Sequence, residues 1–144
     1  MSNLMINFYT LYNKPETLTY HNIKDDVFPF MFYGKISRKE KQEKEKYIAK
    51  DAKYSYCYVD DIIKGRWKAG EKAIATDAGY SYWYAKDVLK GRFEAGEKAI
   101  ATDAEYSYWY AKDVLKSRFE AGEKAIATDA WYNKQYKKML NSDD

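Results

Sequence analysis

Asp77 to Thr102 reads DAGYSYWYAKDVLKGRFEAGEKAIAT, and Asp103 to Thr128 reads DAEYSYWYAKDVLKSRFEAGEKAIAT. The two stretches differ only at Gly79/Glu105 and Gly91/Ser117. Self-similarity at a fixed period marks an architecture in which one supersecondary unit is stacked on copies of itself. The period here is 26 residues.

Working backwards, Asp51 to Thr76 (DAKYSYCYVDDIIKGRWKAGEKAIAT) is a divergent copy in the same register. Residues 25–50 align without a gap as a degenerate copy. Phe28, Phe30 and Phe32 stand where Tyr54, Tyr56 and Tyr58 stand later, and Glu45 to Ala49 mirrors the EKAIA ending. Working forwards, Asp129-Ala130-Trp131-Tyr132 opens a further copy that covers only residues 129–140. Atypical first and last units suit the caps of a repeat array, each of which exposes one face to water. Residues 1–24 are expected to be a non-repeated leader packing on the array, residues 25–140 the helical repeat domain, and residues 141–144 a tail.

Each copy reads as two helices. The first is expected to open at Thr76 or Asp77, with a capping-box spacing at Thr102 and Glu105 in the next copy, and to stop at Gly91. The second is expected over Phe119 to Ala127, with Ser117 and Glu120 as its capping box. Helices this short are marginal alone in water, so packing must hold them. Gly70, Gly96 and Gly122 recur inside the short helix at a cost of about 1 kcal/mol each relative to alanine, which implies close backbone approach between neighbouring copies. The predicted fold is all-α: a short α-solenoid of stacked helix pairs.

At the YSYWYAKDVLKGRFEAGEKAIA units and the leader Leu11-Tyr12-Asn13-Lys14-Pro15-Glu16, the chain resembles a group of short tandem-repeat helical proteins of tailed phages. In that group a proline often opens the second helix, whereas here Glu94 and Glu120 follow the phenylalanine directly. The resemblance implies a phage origin and a helical-repeat fold. It carries no established activity. By analogy, small phage proteins often block host or defence proteins, as anti-CRISPR and other counter-defence inhibitors do.

A projection of the first helix at about 100° per residue places Ala78, Tyr82, Ala85 and Leu89 on one stripe, flanked by Tyr84 and Val88. Trp83 and Lys90 fall opposite, along with Gly79. Trp83 and Trp109, with Lys86, Lys90, Lys112 and Lys116 nearby, therefore form a candidate aromatic–basic face for a protein partner, since tryptophan is enriched at interface hot spots. Packing of the two indoles on the second helix is the competing reading. The tyrosine columns (Tyr54, Tyr80, Tyr106, Tyr132 and Tyr58, Tyr84, Tyr110, Tyr136) fit an inter-repeat core better than a platform for stacked bases.

Charge discriminates only weakly. The chain carries 25 basic and 22 acidic residues, and its net charge of +3 lies entirely within residues 1–50. Lys64, Lys90 and Lys116 with Arg66, Arg92 and Arg118 define a possible basic ridge for single-stranded nucleic acid, the second candidate function. Glu71, Glu97 and Glu123 recur beside it. A structural or self-assembling array is the third, and the half copy at residues 129–140 argues for a closed end over a fibre.

Catalysis finds little footing in the residues. His21 is the only histidine and lies outside the copies; Cys57 is the only cysteine and takes the place of Trp83 and Trp109. No phosphate loop, zinc spacing or calcium loop is present, so no enzyme activity, metal or cofactor is expected. With no secretion signal and no apolar run of membrane length, a soluble cytoplasmic protein is expected. The expected partner is a host or defence protein.

Overall fold

In the structure, a computed structural model, residues 37–142 are described; the leader over 1–24, His21 and residues 25–36 of the degenerate copy lie outside them. All regular elements among these residues are helical. Helix α1 (Arg38–Ile48) belongs to the first of two units, and the helices from Ala52 on to the second. The N-terminus of α1 carries a capping box, with the Ser37 amide donating to the Glu40 carboxylate at 2.6 Å and the Glu40 amide donating to the Ser37 hydroxyl at 3.3 Å.

The second unit contains α2 (Ala52–Tyr58), α3 (Lys68–Ile74), α4 (Ala78–Trp83), α5 (Glu94–Ile100), α6 (Ala104–Trp109), α7 (Glu123–Ile126) and α8 (Ala130–Asn141). Helices α2, α4 and α6 each continue into a wider π-helical segment: Val59–Ile63, Tyr84–Leu89 and Tyr110–Leu115. Helix α8 stays α-helical for all 12 of its residues.

Aspartate opens each first helix. Asp51, Asp77, Asp103 and Asp129 are extended, and each carboxylate accepts the amide three residues on, at 2.9–3.0 Å. The expected box at Thr102 and Glu105 does not form, because the Thr102 hydroxyl turns back and donates to the Ala99 carbonyl at 2.7 Å.

The other end also differs from expectation. The left-handed residue is Lys90, at φ 51°, not Gly91, and Lys64 and Lys116 share that conformation. The π turn absorbs one residue more than an α turn, so the chain reaches its exit conformation at Lys90. The amides of both Lys90 and Gly91 then donate to the Ala85 carbonyl. An α-helical projection beyond Trp83 is off phase for the same reason. Tyr84 is wholly buried, and Leu89 of the projected stripe is only half-buried.

The second helices lack the Ser117–Glu120 box. Phe93 and Phe119 precede them without any side-chain cap, and the third copy opens as a 3-10 turn, Glu120–Gly122, ahead of α7. The amide of Phe93 donates instead to the Tyr110 hydroxyl at 3.0 Å, and that of Phe119 to the Tyr136 hydroxyl at 2.8 Å. A tyrosine from the following copy therefore satisfies a donor that a cap would ordinarily take.

That same hydroxyl donates onward. Tyr84 reaches Glu71 at 3.0 Å, Tyr110 reaches Glu97 at 2.9 Å, and Tyr136 reaches Glu123 at 3.1 Å. Each glutamate is clamped by two nitrogens of an arginine: Glu71 by Arg66, Glu97 by Arg92 and Glu123 by Arg118. The ring below stays in its own copy, where Tyr84 meets Phe93 edge-on at 5.1 Å and Tyr110 meets Phe119 in the same way. One side chain thus serves the core of one copy and the polar network of the copy before it.

The recurrent glycines do mark close approach, but within a copy. A Cβ at Gly96 would lie 2.6 Å from the Ser81 side chain, and one at Gly122 would lie equally close to Ser107. Ser81 and Ser107 are fully buried, and their hydroxyls donate to the Ile74 and Ile100 carbonyls of the preceding copy. The serine–glycine contact is where α4 crosses α5 and α6 crosses the turn into α7.

Tyr110→Phe removes the hydroxyl and keeps the ring. The Phe93 amide is then buried without an acceptor, so the expected loss is about 1–3 kcal/mol of unfolding free energy. Urea denaturation followed by circular dichroism measures it, with Tyr106→Phe, at a half-buried position, as the comparison expected to cost less.

Candidate interaction face

Trp83 and Trp109 are the last residues of α4 and α6, immediately ahead of the π segments. Trp83 is 40% exposed, Trp109 is half-buried, and Trp131 in the first turn of α8 is 54% exposed. Trp131 was not singled out from the sequence. It stands in register with Gly79 and Glu105, and that register is the signal that could have found it.

The lysines grouped with these tryptophans in the sequence separate in space. The Lys86 ammonium lies 5.3 Å from the centre of the Trp83 ring and 5.4 Å from that of Tyr82. It also donates to the Tyr82 hydroxyl at 3.1 Å and pairs with the Asp113 carboxylate of the next copy at 3.2 Å. Tyr82 donates to the same carboxylate at 2.7 Å. Lys86 is thus tied into a joint between copies and is not a free surface charge. Lys112 stands over Trp109 at 4.9 Å and Tyr108 at 5.7 Å, but the position matching Asp113 is Met139, so its charge is left for other use.

Lys90 and Lys116 sit on the exposed exit turns. Lys90 lines a second groove with Lys64, Asp60 and Asp87, away from the set around Trp83. Arg66, Arg92 and Arg118, the other members of the proposed basic ridge, are each engaged by a glutamate as described above, whereas the three lysines have no carboxylate partner among the described residues. Successive copies are also bridged by tilted aromatic pairs: Tyr56 with Tyr80, Tyr82 with Tyr106, and Tyr108 with Tyr132, at 5.6–5.9 Å. Those tyrosines are occupied with one another.

Cys57 is half-buried at the position of Trp83. Among the described residues no group of three His, Cys, Asp or Glu side chains is arranged to hold a metal ion, and no helix is long and apolar enough to cross a membrane. No family model, no curated protein and no solved structure matches the chain.

The joints set the titration behaviour. Burial, reinforced by the Asp113 carboxylate, pushes the Tyr82 phenol up to about 12, and burial together with Glu71 does the same for Tyr84. Burial acts against Glu71, but hydrogen bonds from Arg66 and Tyr84 outweigh it and hold its carboxyl below the usual range; the Arg118 and Tyr136 hydrogen bonds do so for Glu123. The raised phenols contribute stability that is complete below their ordinary value of 10.0 and disappears as pH rises through about 12. The lowered carboxyls contribute stability present above their ordinary 4.5 and lost as pH falls through their lower folded values. Stability is therefore expected to be level between these limits and to fall on both sides. Absorbance at the tyrosinate band, recorded alongside circular dichroism, should show late phenol ionisation coinciding with unfolding; ionisation near the ordinary value with helicity intact would contradict the joints.

Proposed function

We propose that the chain is a non-enzymatic protein-binding module, a short α-solenoid of 26-residue helix pairs that occludes a partner surface with its tryptophan face. The observation that carries this reading is the exposure of Trp83 and Trp131 at 40% and 54% on a scaffold whose tyrosines are engaged with one another. Large aromatics left to solvent, as Trp83 and Trp131 are, have the composition of an interface hot spot. A face held by repeated joints also loses little freedom on association. The likeness of the YAKDVLKGRF units to phage repeat proteins makes a bacterial host or defence protein the expected target, with occlusion as the mode of inhibition in the host cytoplasm.

Capture from bacterial lysate with the tagged chain, with and without nuclease, tests the reading. A nuclease-resistant partner should be retained by the wild type and lost with Trp83→Ala/Trp131→Ala, whose helicity is unchanged. Loss of helicity instead would return the indoles to a packing role.

One observation favours the nucleic-acid reading as runner-up. Lys64, Lys90 and Lys116 all keep a left-handed backbone, at φ 54°, 51° and 52°. That conformation costs a non-glycine residue about 1–2 kcal/mol, so retaining lysine at every exit turn suggests that the charge is used. Replacing all three with glycine should raise the unfolding midpoint and abolish low-salt binding of a fluorescent single-stranded oligonucleotide. Binding that is absent from the wild type, or indifferent to salt or to the glycines, rejects this reading.

A further inference from the structure

The protein-binding reading leaves open the chemistry of what is bound. A groove beside Gly79 supplies it. Asp77, Gly79, Tyr80, Trp83, Asp103 and Tyr106 line a cavity of about 460 Å³ between two successive copies. Every charged side chain in that lining is a carboxylate. Asp77 and Asp103 each spend one oxygen on a helix-capping amide, at 2.9 and 3.0 Å, and the other takes no hydrogen bond among the described residues. After burial, the charges of Glu105, Asp103 and Asp77 push the Tyr106 phenol up, which reports a negative field in the groove.

The groove exists because of Gly79. Equivalent positions in the other copies carry Val27, Lys53, Glu105 and Trp131. A Cβ at Gly79 would come within 3.0 Å of the Tyr106 ring, so any side chain there would enter the space. The following copy carries Glu105 at that place, and after burial its charge pushes the Tyr132 phenol up. Glycine within a helix costs stability relative to the residues that the repeat otherwise uses. It is nonetheless one of only two differences between the copies 77–102 and 103–128.

Of the rings that wall the groove, Trp83 already attracts a cation in this molecule. Lys86 sits over Trp83, and Lys112 over Trp109, at 5.3 and 4.9 Å. Aromatic rings set beside carboxylates favour an ammonium or guanidinium over a neutral or anionic group. We propose that the groove beside Gly79 receives a basic side chain, lysine or arginine, of the partner protein, with Tyr80, Trp83 and Tyr106 as aromatic walls and Asp77 and Asp103 as counter-charges. This rests on the protein-binding reading and gives the partner surface its sign: a protruding basic residue in place of an apolar plug.

The test needs no partner. In the full ¹⁵N-labelled chain, the Trp83 indole N–H resonance, assigned from Trp83→Phe, is followed during titration with N-acetyl-arginine methylamide and N-acetyl-lysine methylamide. N-acetyl-norleucine methylamide, similar in length and uncharged, is the control. A saturable shift of Trp83 is expected with the two cations and not with norleucine. Asp77→Asn/Asp103→Asn removes the charges while preserving both helix caps, since asparagine caps as well as aspartate; it should weaken binding several-fold with unchanged circular dichroism. Gly79→Glu copies the neighbouring repeat into the groove and should abolish the shift.

No saturable shift, an equal shift with norleucine, or a shift that survives Gly79→Glu would overturn the groove as a cation site. Capture of a partner that depends on the tryptophans, without probe binding, sinks the groove and leaves the tryptophan face standing. Probe binding without tryptophan-dependent capture instead overturns the assignment to a partner protein, leaving a site for a free organic cation.

Discussion

One hydroxyl group, repeated, holds the second unit together. The phenol of Tyr84, with Tyr110 and Tyr136 after it, accepts the amide that precedes the second helix of the copy before it and donates to that copy's glutamate. Short helices cannot stabilise themselves, and their first amides are unsatisfied wherever no polar side chain caps them. Here the cap arrives from the next copy, so forming a helix and docking a neighbour are a single event. The ring brings apolar area to its own core, which is why tyrosine alone fits the position: phenylalanine lacks the hydroxyl, and serine lacks the ring.

Much of this was legible in the residues. The all-helical character, the aspartate caps, the buried column from Tyr58 to Tyr136, and the close approach at Gly96 all follow from helix chemistry. The exceptions are instructive. The π turns of Tyr84–Leu89 and Tyr110–Leu115 carry no signature that an α-helical projection registers, so Gly91 looked like the exit residue when Lys90 holds that place. The box read at Ser117 and Glu120 is absent: the Ser117 amide that Glu120 would take donates to the Ala111 carbonyl, and the amide ahead of the helix, that of Phe119, goes to a tyrosine 17 positions away, beyond the reach of a local motif. Glycine spacing gave a close approach but not its partner, and only the fold assigns Gly96 to Ser81 of the same copy.

The candidate face shows how near-identical units acquire different roles. Lys86 and Lys112 occupy equivalent positions over equivalent indoles, but only Lys86 has a carboxylate from the following copy, Asp113, to neutralise it. Gly79 likewise leaves a groove at a site where the following copy carries Glu105. Sequence could flag Gly79 as variable. It could not show that Trp83, Tyr80 and Tyr106 surround it, because those residues come from two copies whose relative placement depends on the tyrosine joints.

Those joints link residues 13 and 17 positions apart, and the Asp113 clamp spans 31. Chain segments this short lose little entropy when their ends meet, and a molecule rich in such contacts has low contact order and folds quickly. Order should therefore spread between adjacent copies as along a zipper, with amide exchange fastest in α8, which contributes the last tyrosine of the series and receives none. Adding or deleting an internal copy would preserve the tyrosine–glutamate joint at every step, so the length of this molecule is a variable that selection can adjust by whole units.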